Sequence, residues 1–214
     1  MKITKFGHCC LLIEEKGVRI LTDPGTYSTG QNDVKNIDAV LITHEHADHL
    51  HIDSLKNVID NAGSKGLVII TNKGVAKLLD GAGIPYYQIV EHGQKIDFKG
   101  IVIEGYGEKH ANMYKTLTPV VNTGYFISNR LFYPGDAFTN PKKPVDILAL
   151  PVAGPWMKLS EAIDYAIEIH PKIAFPVHEG ILKSPGTTHK IPNDVLNPLG
   201  IKFIILEEGK ETEL

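Results

Sequence analysis

The sequence predicts a single α+β domain in which sheet outweighs helix, and three observations carry that expectation. The chain has 214 residues, enough for one domain, or two tightly fused halves, around a substantial core. Short β-branched and aliphatic runs punctuated by Gly, Pro, Asn and Asp recur throughout, while only a few segments show helical spacing. No low-complexity stretch interrupts the chain, so residues 1–214 count as one domain.

The elements follow in order. Met1 to Thr4 leads directly into strand-like sequence, and Cys9 to Glu14 and Val18 to Thr22 are apolar strands joined around the turn pair Lys16-Gly17. Asp23-Pro24-Gly25 stops the second, and Thr26 to Asn36 is a polar, glycine-containing loop able to overhang a site. Asp38 to Thr43 is a short strand, apolar without alternation and therefore buried on both faces. Asp53 to Ile59 has helical spacing with Asp53 or Ser54 as its cap. Leu67 to Thr71 is a strand, Lys73 to Leu79 a helix closed by Gly81, and Tyr86 to Val90 a strand. Lys95 to Phe98 and Ile101 to Glu104 flank Lys99-Gly100 as a hairpin.

The second half repeats this organisation more loosely. Gly124 to Ser128 and Leu131 to Tyr133 pair around Asn129-Arg130, and Asp146 to Leu150 is a buried strand. Ser160 to Ile169 is an amphipathic helix capped by Ser160, and the strand Lys172 to Val177 follows. A short helix from about Asn193 and a strand from Lys202 to Leu206 close the pattern.

Composition narrows the function classes. A net charge of -3 argues against a general polyanion binder. No apolar run reaches the length of a membrane span and the start lacks a signal-peptide core, so the expectation is a soluble cytoplasmic protein. Cys9 and Cys10 are adjacent and are the only cysteines, which leaves no partner for a structural disulfide. On a strand their side chains point to opposite faces, and they read as small buried hydrophobes rather than ligands.

The informative stretch runs from Val40 to Leu50, where an apolar strand ends in His44, His46, Asp48 and His49 within six positions. If the chain stays extended past Thr43, His44 and His46 share a face and can bind one metal. A bend at Ala47 would turn Asp48 and His49 toward a second. Neutral imidazoles with a carboxylate suit zinc, with iron or manganese as alternatives. A helical H-E-x-x-H site does not fit, because these histidines are two apart rather than four. Three later residues, His110, Asp136 and His178, each end a strand or hairpin and add the donors a two-metal centre would need.

With those residues in view the chain resembles the metallo-β-lactamase superfamily over nearly its whole length. The H-x-H-x-D-H signature stands as His44, His46, Asp48 and His49, and the usual successors match His110, Asp136 and His178. Gly7-His8, the turn Leu21-Thr22-Asp23-Pro24 and the segment Pro151 to Trp156 look like the branch of ascorbate-6-phosphate lactonase-like hydrolases.

This resemblance implies a four-layer αββα sandwich with two divalent metals at one edge, between the sheets. One metal would take His44, His46 and His110, the other Asp48, His49 and His178, with Asp136 bridging. The implied chemistry is hydrolysis of a small ester, lactone or phosphoester by a hydroxide held between the cations. Asp48, Asp136 and His8 are then the catalytic candidates. Asp23 is a candidate acceptor for a ligand imidazole's second N–H, with a simple turn carboxylate as the rival reading. His8 would line the cleft, hold substrate or shuttle a proton, with a structural hydrogen bond as its rival. Trp156 and Met157 form either an apolar cleft wall or part of the core. His51, His92, His170 and His189 have no motif support.

Departures from other branches narrow the field. No cysteine stands at a ligand position, unlike the cysteine-containing antibiotic-hydrolysing enzymes. The flavodiiron proteins carry an acid where His46 stands and need a flavin domain that this chain has no room for. Leu50-His51-Ile52 and a strand-like tail replace the glycines and helical C-terminal domain of glyoxalase II-like enzymes. A small-molecule hydrolase is the favoured class and a nuclease the rival, with the acidic balance and the lack of an inserted clamping domain against the latter. A third class is a metal-binding regulatory module, which would keep the ligands but occlude the cleft.

Overall fold

The computed structural model describes residues 1–63 and 66–214, and these described residues build two seven-stranded sheets. β1 (Lys2–Lys5), β2 (Leu11–Glu15) and β3 (Val18–Thr22) form an antiparallel meander. β4 (Ala39–Leu41), β5 (Val68–Thr71) and β6 (Tyr87–Ile89) extend it in parallel, with helices α1 (Ile52–Asn61) and α2 (Lys73–Gly81) as crossovers. The second sheet starts with the antiparallel strands β7 (Lys95–Phe98), β8 (Ile101–Tyr106), β9 (Gly124–Ile127) and β10 (Leu131–Tyr133). It continues in parallel through β11 (Ile147–Pro151), β12 (Ile173–Val177) and β13 (Lys202–Phe203), with α3 (Leu159–Ile169) and α4 (Gly186–Leu196) as crossovers. The terminal strand β14 (Glu211–Glu213) returns to pair with β1.

Alternation along the strands explains the layers. In β4, Ala39 and Leu41 point into a core shared with Tyr125, Ile127 and Phe175 of the second sheet. Val40 points the other way, onto Leu55 and Val58 of α1 and Val75 and Leu79 of α2. On the far side, Leu148 and Leu150 meet Ala162, Ile163 and Ala166 of α3 and Leu196 of α4. The order is helix, sheet, sheet, helix, the sandwich the resemblance implies. Cys9 and Cys10 follow the same rule, one facing the inter-sheet core and the other the α1 and α2 layer, and both are buried because the sheet is covered on both faces.

Several elements depart from the sequence reading. α1 is capped by His51 in an extended conformation rather than by Asp53 or Ser54, and His51 Nδ1 meets Ser54 Oγ at 3.0 Å. α3 begins at Leu159 with Lys158 as its cap, not Ser160, because Glu161 Oε2 accepts the Lys158 N–H at 2.7 Å. α4 starts at Gly186, well before Asn193, and carries Pro192 inside it, and its weak apolar spacing hides that start. β13 ends at Phe203, short of Leu206. β14 is polar and lies at a sheet edge, so its pairing with β1 and the 2.8 Å Lys2–Glu211 ion pair leave no apolar signature. Among the described residues no helix is long and apolar enough to cross a membrane.

Candidate metal centre

The parallel strands put their C-terminal ends on one rim, where open α/β sheets usually bind ligands. Asp23 follows β3, Thr43 to His49 follow β4, Asp136 follows β10, Trp156 follows β11 and His178 follows β12. His110 comes from the long connection after β8. Gly25 allows the turn after β3 to sit directly against the histidine loop, since a Cβ there would fall 1.8 Å from the Asp48 carbonyl oxygen. Thr26 N donates to Ala47 O at 2.9 Å across that contact.

The rim gathers all seven residues singled out in the sequence. His44, His46 and His110 form one group whose donor atoms lie within 4.8 Å of one another, and Asp48, His49, Asp136 and His178 form another. His44 Nε2 and His46 Nδ1 face each other at 3.1 Å. Two imidazole nitrogens on one tetrahedral zinc at its usual bond length stand about 3.3 Å apart, so this spacing suits a shared cation. Asp136 Oδ2 lies 3.3 Å from His110 Nε2 in the first group and 2.8 Å from His178 Nε2 in the second. Its Oδ1 lies 3.1 Å from His49 Nε2.

The fit to a metal rests on atoms that converge without bonding. His49 Nε2, Asp136 Oδ1 and His178 Nε2 are all buried and make no hydrogen bond despite these short separations. Buried polar atoms without partners are rare and costly, and a cation among them removes the cost. The donor set of imidazoles and carboxylates is the one zinc, manganese or iron takes.

The other side of each ring shows how the donors are aimed. Thr43 donates its N–H to Asp23 Oδ1 at 2.8 Å and its O–H to Asp23 Oδ2 at 2.7 Å. A hydroxyl has one hydrogen, so toward His44 Nδ1, 3.1 Å away, Thr43 Oγ1 can only accept. His44 then carries its proton on Nδ1 and turns the Nε2 lone pair to the rim. His49 Nδ1 donates to Asp23 Oδ2 at 2.7 Å, which turns its Nε2 to the rim. His110 Nδ1 donates to Ala111 O at 2.6 Å. Asp23 is buried in left-handed backbone and also accepts from the Tyr133 hydroxyl. Its carboxylate therefore occupies the orienting position proposed for it from sequence.

The Asp136 loop is equally tied down. Asp136 N donates to Asn122 Oδ1 at 3.0 Å, and Ala111 N donates to Asp136 O at 2.8 Å. Burial opposes ionisation of Asp136, yet the His49 charge and its imidazole neighbours hold the carboxyl well below the usual range. Burial likewise opposes charge on Asp48, but the His8 hydrogen bond and the His49 and His178 charges hold it at about 2. Burial keeps His44 neutral, as a ligand imidazole must be. His49 is pushed the other way, because the Asp136 and Asp23 charges outweigh its burial.

His8 Nε2 lies 3.2 Å from Asp48 Oδ2, and its ring centroid is 4.1 Å from that of His178, so it joins the rim. Cys9 offers its sulfur to a group with His8, His49 and His178, but burial pushes its thiol pKa far up and disfavours the thiolate. His51, His92, His170 and His189 belong to none of the donor groups found among the described residues. His189 instead meets Glu179 Oε1 at 3.3 Å. Thr43 and the Trp156 N–H are contributors that the sequence reading missed. Thr43 had one visible signal, a hydroxyl between an apolar strand and the first histidine.

A cleft of about 220 Å³ opens over the donors, lined by His46, Asp48, His110, Met113, Asp136, Pro155, Trp156 and His178. Trp156 is both cleft wall and packed side chain, 5.3 Å from Phe138 between ring centroids. Met157 sits instead against the α3 side core and lines an adjoining groove.

Comparison with known proteins agrees with this architecture. A model of the β-lactamase superfamily domain matches residues 2–178. The chain is 35% identical over 188 residues to protein Rv0786c of Mycobacterium tuberculosis, covering 85% of each. It is 31% identical over 188 residues to a UPF0173 protein of Pyrococcus abyssi, covering 84% of each. A crystal structure from Parabacteroides distasonis, of a protein assigned as a metal-dependent hydrolase, superposes with a TM-score of 0.78 at 26% identity, covering 96% of this chain and 92% of that one. The chain therefore belongs to the metallo-β-lactamase superfamily, as a metal-dependent hydrolase.

Proposed function

We propose that the enzyme is a two-metal hydrolase, with zinc as the expected metal, acting on a small ester, lactone or phosphoester. His44, His46 and His110 would hold one cation, Asp48, His49 and His178 the other, and Asp136 would be shared. The observation that carries this reading is the position of Asp136 Oδ2, which is 3.3 Å from His110 Nε2 and 2.8 Å from His178 Nε2. One carboxylate oxygen touches both donor groups.

When bound, such a metal pair supplies Lewis acidity and lowers the pKa of water toward neutrality. The chain's own part is placement. Asp23 and Thr43 hold the Nδ1 side of His49 and His44, so that both rings keep Nε2 turned toward the rim. His8, kept neutral mainly by its burial, donates to Asp48 Oδ2 and holds that carboxylate against the rim. Met113, Pro155 and Trp156 shield one side of the cleft from bulk water.

The small cleft favours a compact substrate. None of the residues lining it is a lysine or arginine, which counts against the rival nuclease reading because nucleic-acid sites are built on cationic contacts. The resemblance to lactonase-like hydrolases keeps lactones among the candidates. Metal-reconstituted protein should be screened against lactones, simple esters, phosphodiesters and short RNA. Hydrolysis of one of the first three without RNA cleavage supports the proposal, and cleavage of RNA alone replaces it with the nuclease reading.

A further inference from the structure

We infer that Trp156 is a positioning residue of the metal centre, whose indole N–H holds the Asp136 carboxylate in the orientation that faces both donor groups. The inference rests on the two-metal reading above. Trp156 Nε1 donates to Asp136 Oδ2 at 2.9 Å, with both side chains buried. This is the same oxygen that approaches His178 Nε2, His110 Nε2 and, at 4.0 Å, His44 Nε2.

The indole is held where it is. It stands edge-on to His110 and His178, with centroid separations of 5.9 and 6.0 Å, and tilted against Phe138. Gly154 makes room for it. With φ at +150° the backbone there is one that L side chains rarely adopt, and a Cβ would fall 2.7 Å from Trp156 Nε1. Two features therefore serve one contact, a glycine that permits the indole's position and a hydrogen bond that uses it.

The chemistry explains why an indole suits this place. A shared carboxylate must keep lone pairs directed at two centres, and a free side chain would rotate among orientations that serve only one. A lysine or arginine donor would also fix it, but would set a third positive charge beside two cations. The indole N–H is neutral, donates once and has no acceptor role. It orients the carboxylate without competing electrostatically for it.

Trp156→Phe keeps a ring and deletes the donor. Metal-stripped full-length wild type and variant should be titrated with zinc against a competing chelator, with bound zinc counted by elemental analysis. Wild type should bind two equivalents, and Trp156→Phe should lose about 10- to 100-fold in affinity for at least one, the usual effect of removing a ligand's supporting partner. Gly154→Ala, which displaces the indole, should weaken binding in the same direction. A merely structural role would lower the melting temperature equally with and without zinc and leave the affinity where it was. Because Trp156 is the only tryptophan, zinc uptake by wild type should also change the indole emission, and this readout survives if a variant fails to fold. Two equivalents bound by Trp156→Phe with wild-type affinity, or zinc uptake by wild type with unchanged emission, would overturn the inference and leave the two-metal reading intact. A wild-type maximum of one equivalent would remove that reading and this inference with it.

Discussion

Replacing Asp23 with alanine tests whether the donors are held by a second layer or merely sit near one another. Asp23 is fully buried and accepts four hydrogen bonds, from Thr43 N, Thr43 Oγ1, His49 Nδ1 and the Tyr133 hydroxyl. The two hydroxyls can turn elsewhere, and Tyr133 already has Cys9 O 3.4 Å away. Thr43 N–H cannot turn, and His49 Nδ1–H keeps only Thr43 Oγ1, 3.4 Å away. One stranded and one weakly held buried donor, at about 1 to 3 kcal/mol for each full loss, cost up to roughly 6 kcal/mol together, against a total stability of about 5 to 15 kcal/mol. Asp23→Ala should therefore fold but denature at markedly lower urea concentration in its metal-free form. Releasing the His49 ring should in addition weaken metal binding by roughly 10- to 100-fold in chelator competition. Lower stability with wild-type metal affinity would return Asp23 to the role of a turn carboxylate, and no change in either quantity would refute the network.

Asp136→Asn keeps the shape but loses the shared charge, and turnover should fall at least about a hundredfold in a steady-state assay; full activity with both metals retained would mean that the carboxylate is not shared. His178→Ala should hold one metal fewer than wild type by elemental analysis, since the His44, His46 and His110 group is left intact. Lys5→Met should destabilise the fold by up to about 3 to 5 kcal/mol, because it leaves the buried Glu179 carboxylate with His189 as its remaining side-chain partner. The pH dependence of that loss has a definite sign. Burial opposes ionisation of Glu179, but its bonds from His189 and Lys5 hold it at about 2, against an ordinary 4.5. Its contribution is therefore complete above about 4.5 and disappears as pH falls through about 2, so the difference between wild type and Lys5→Met in chemical denaturation should narrow across that window.

What was legible in the sequence follows a physical pattern. The seven candidate donors stood out because metal chemistry restricts residue type, and because a strand running into His44-Glu45-His46 has only one simple geometry. The sheets were legible because burial on both faces writes apolar runs such as Ala39 to Ile42. The orienting layer was harder to see, since any hydroxyl or indole can serve and only the fold brings Thr43 and Trp156 to the right atoms. Helix caps slipped by two or three residues, in α3 because Glu161 reaches back to the Lys158 N–H, a choice made by local geometry rather than by residue type alone. β14 was invisible because an edge strand of Glu211, Thr212 and Glu213 needs only backbone pairing and an ion pair.

If two metals share Asp136, the metal content of the protein must show it. Protein purified without chelator, then reconstituted with zinc and desalted, should carry close to two equivalents per chain by elemental analysis. A reproducible maximum of one equivalent after reconstitution would mean that Asp136 does not join two metals.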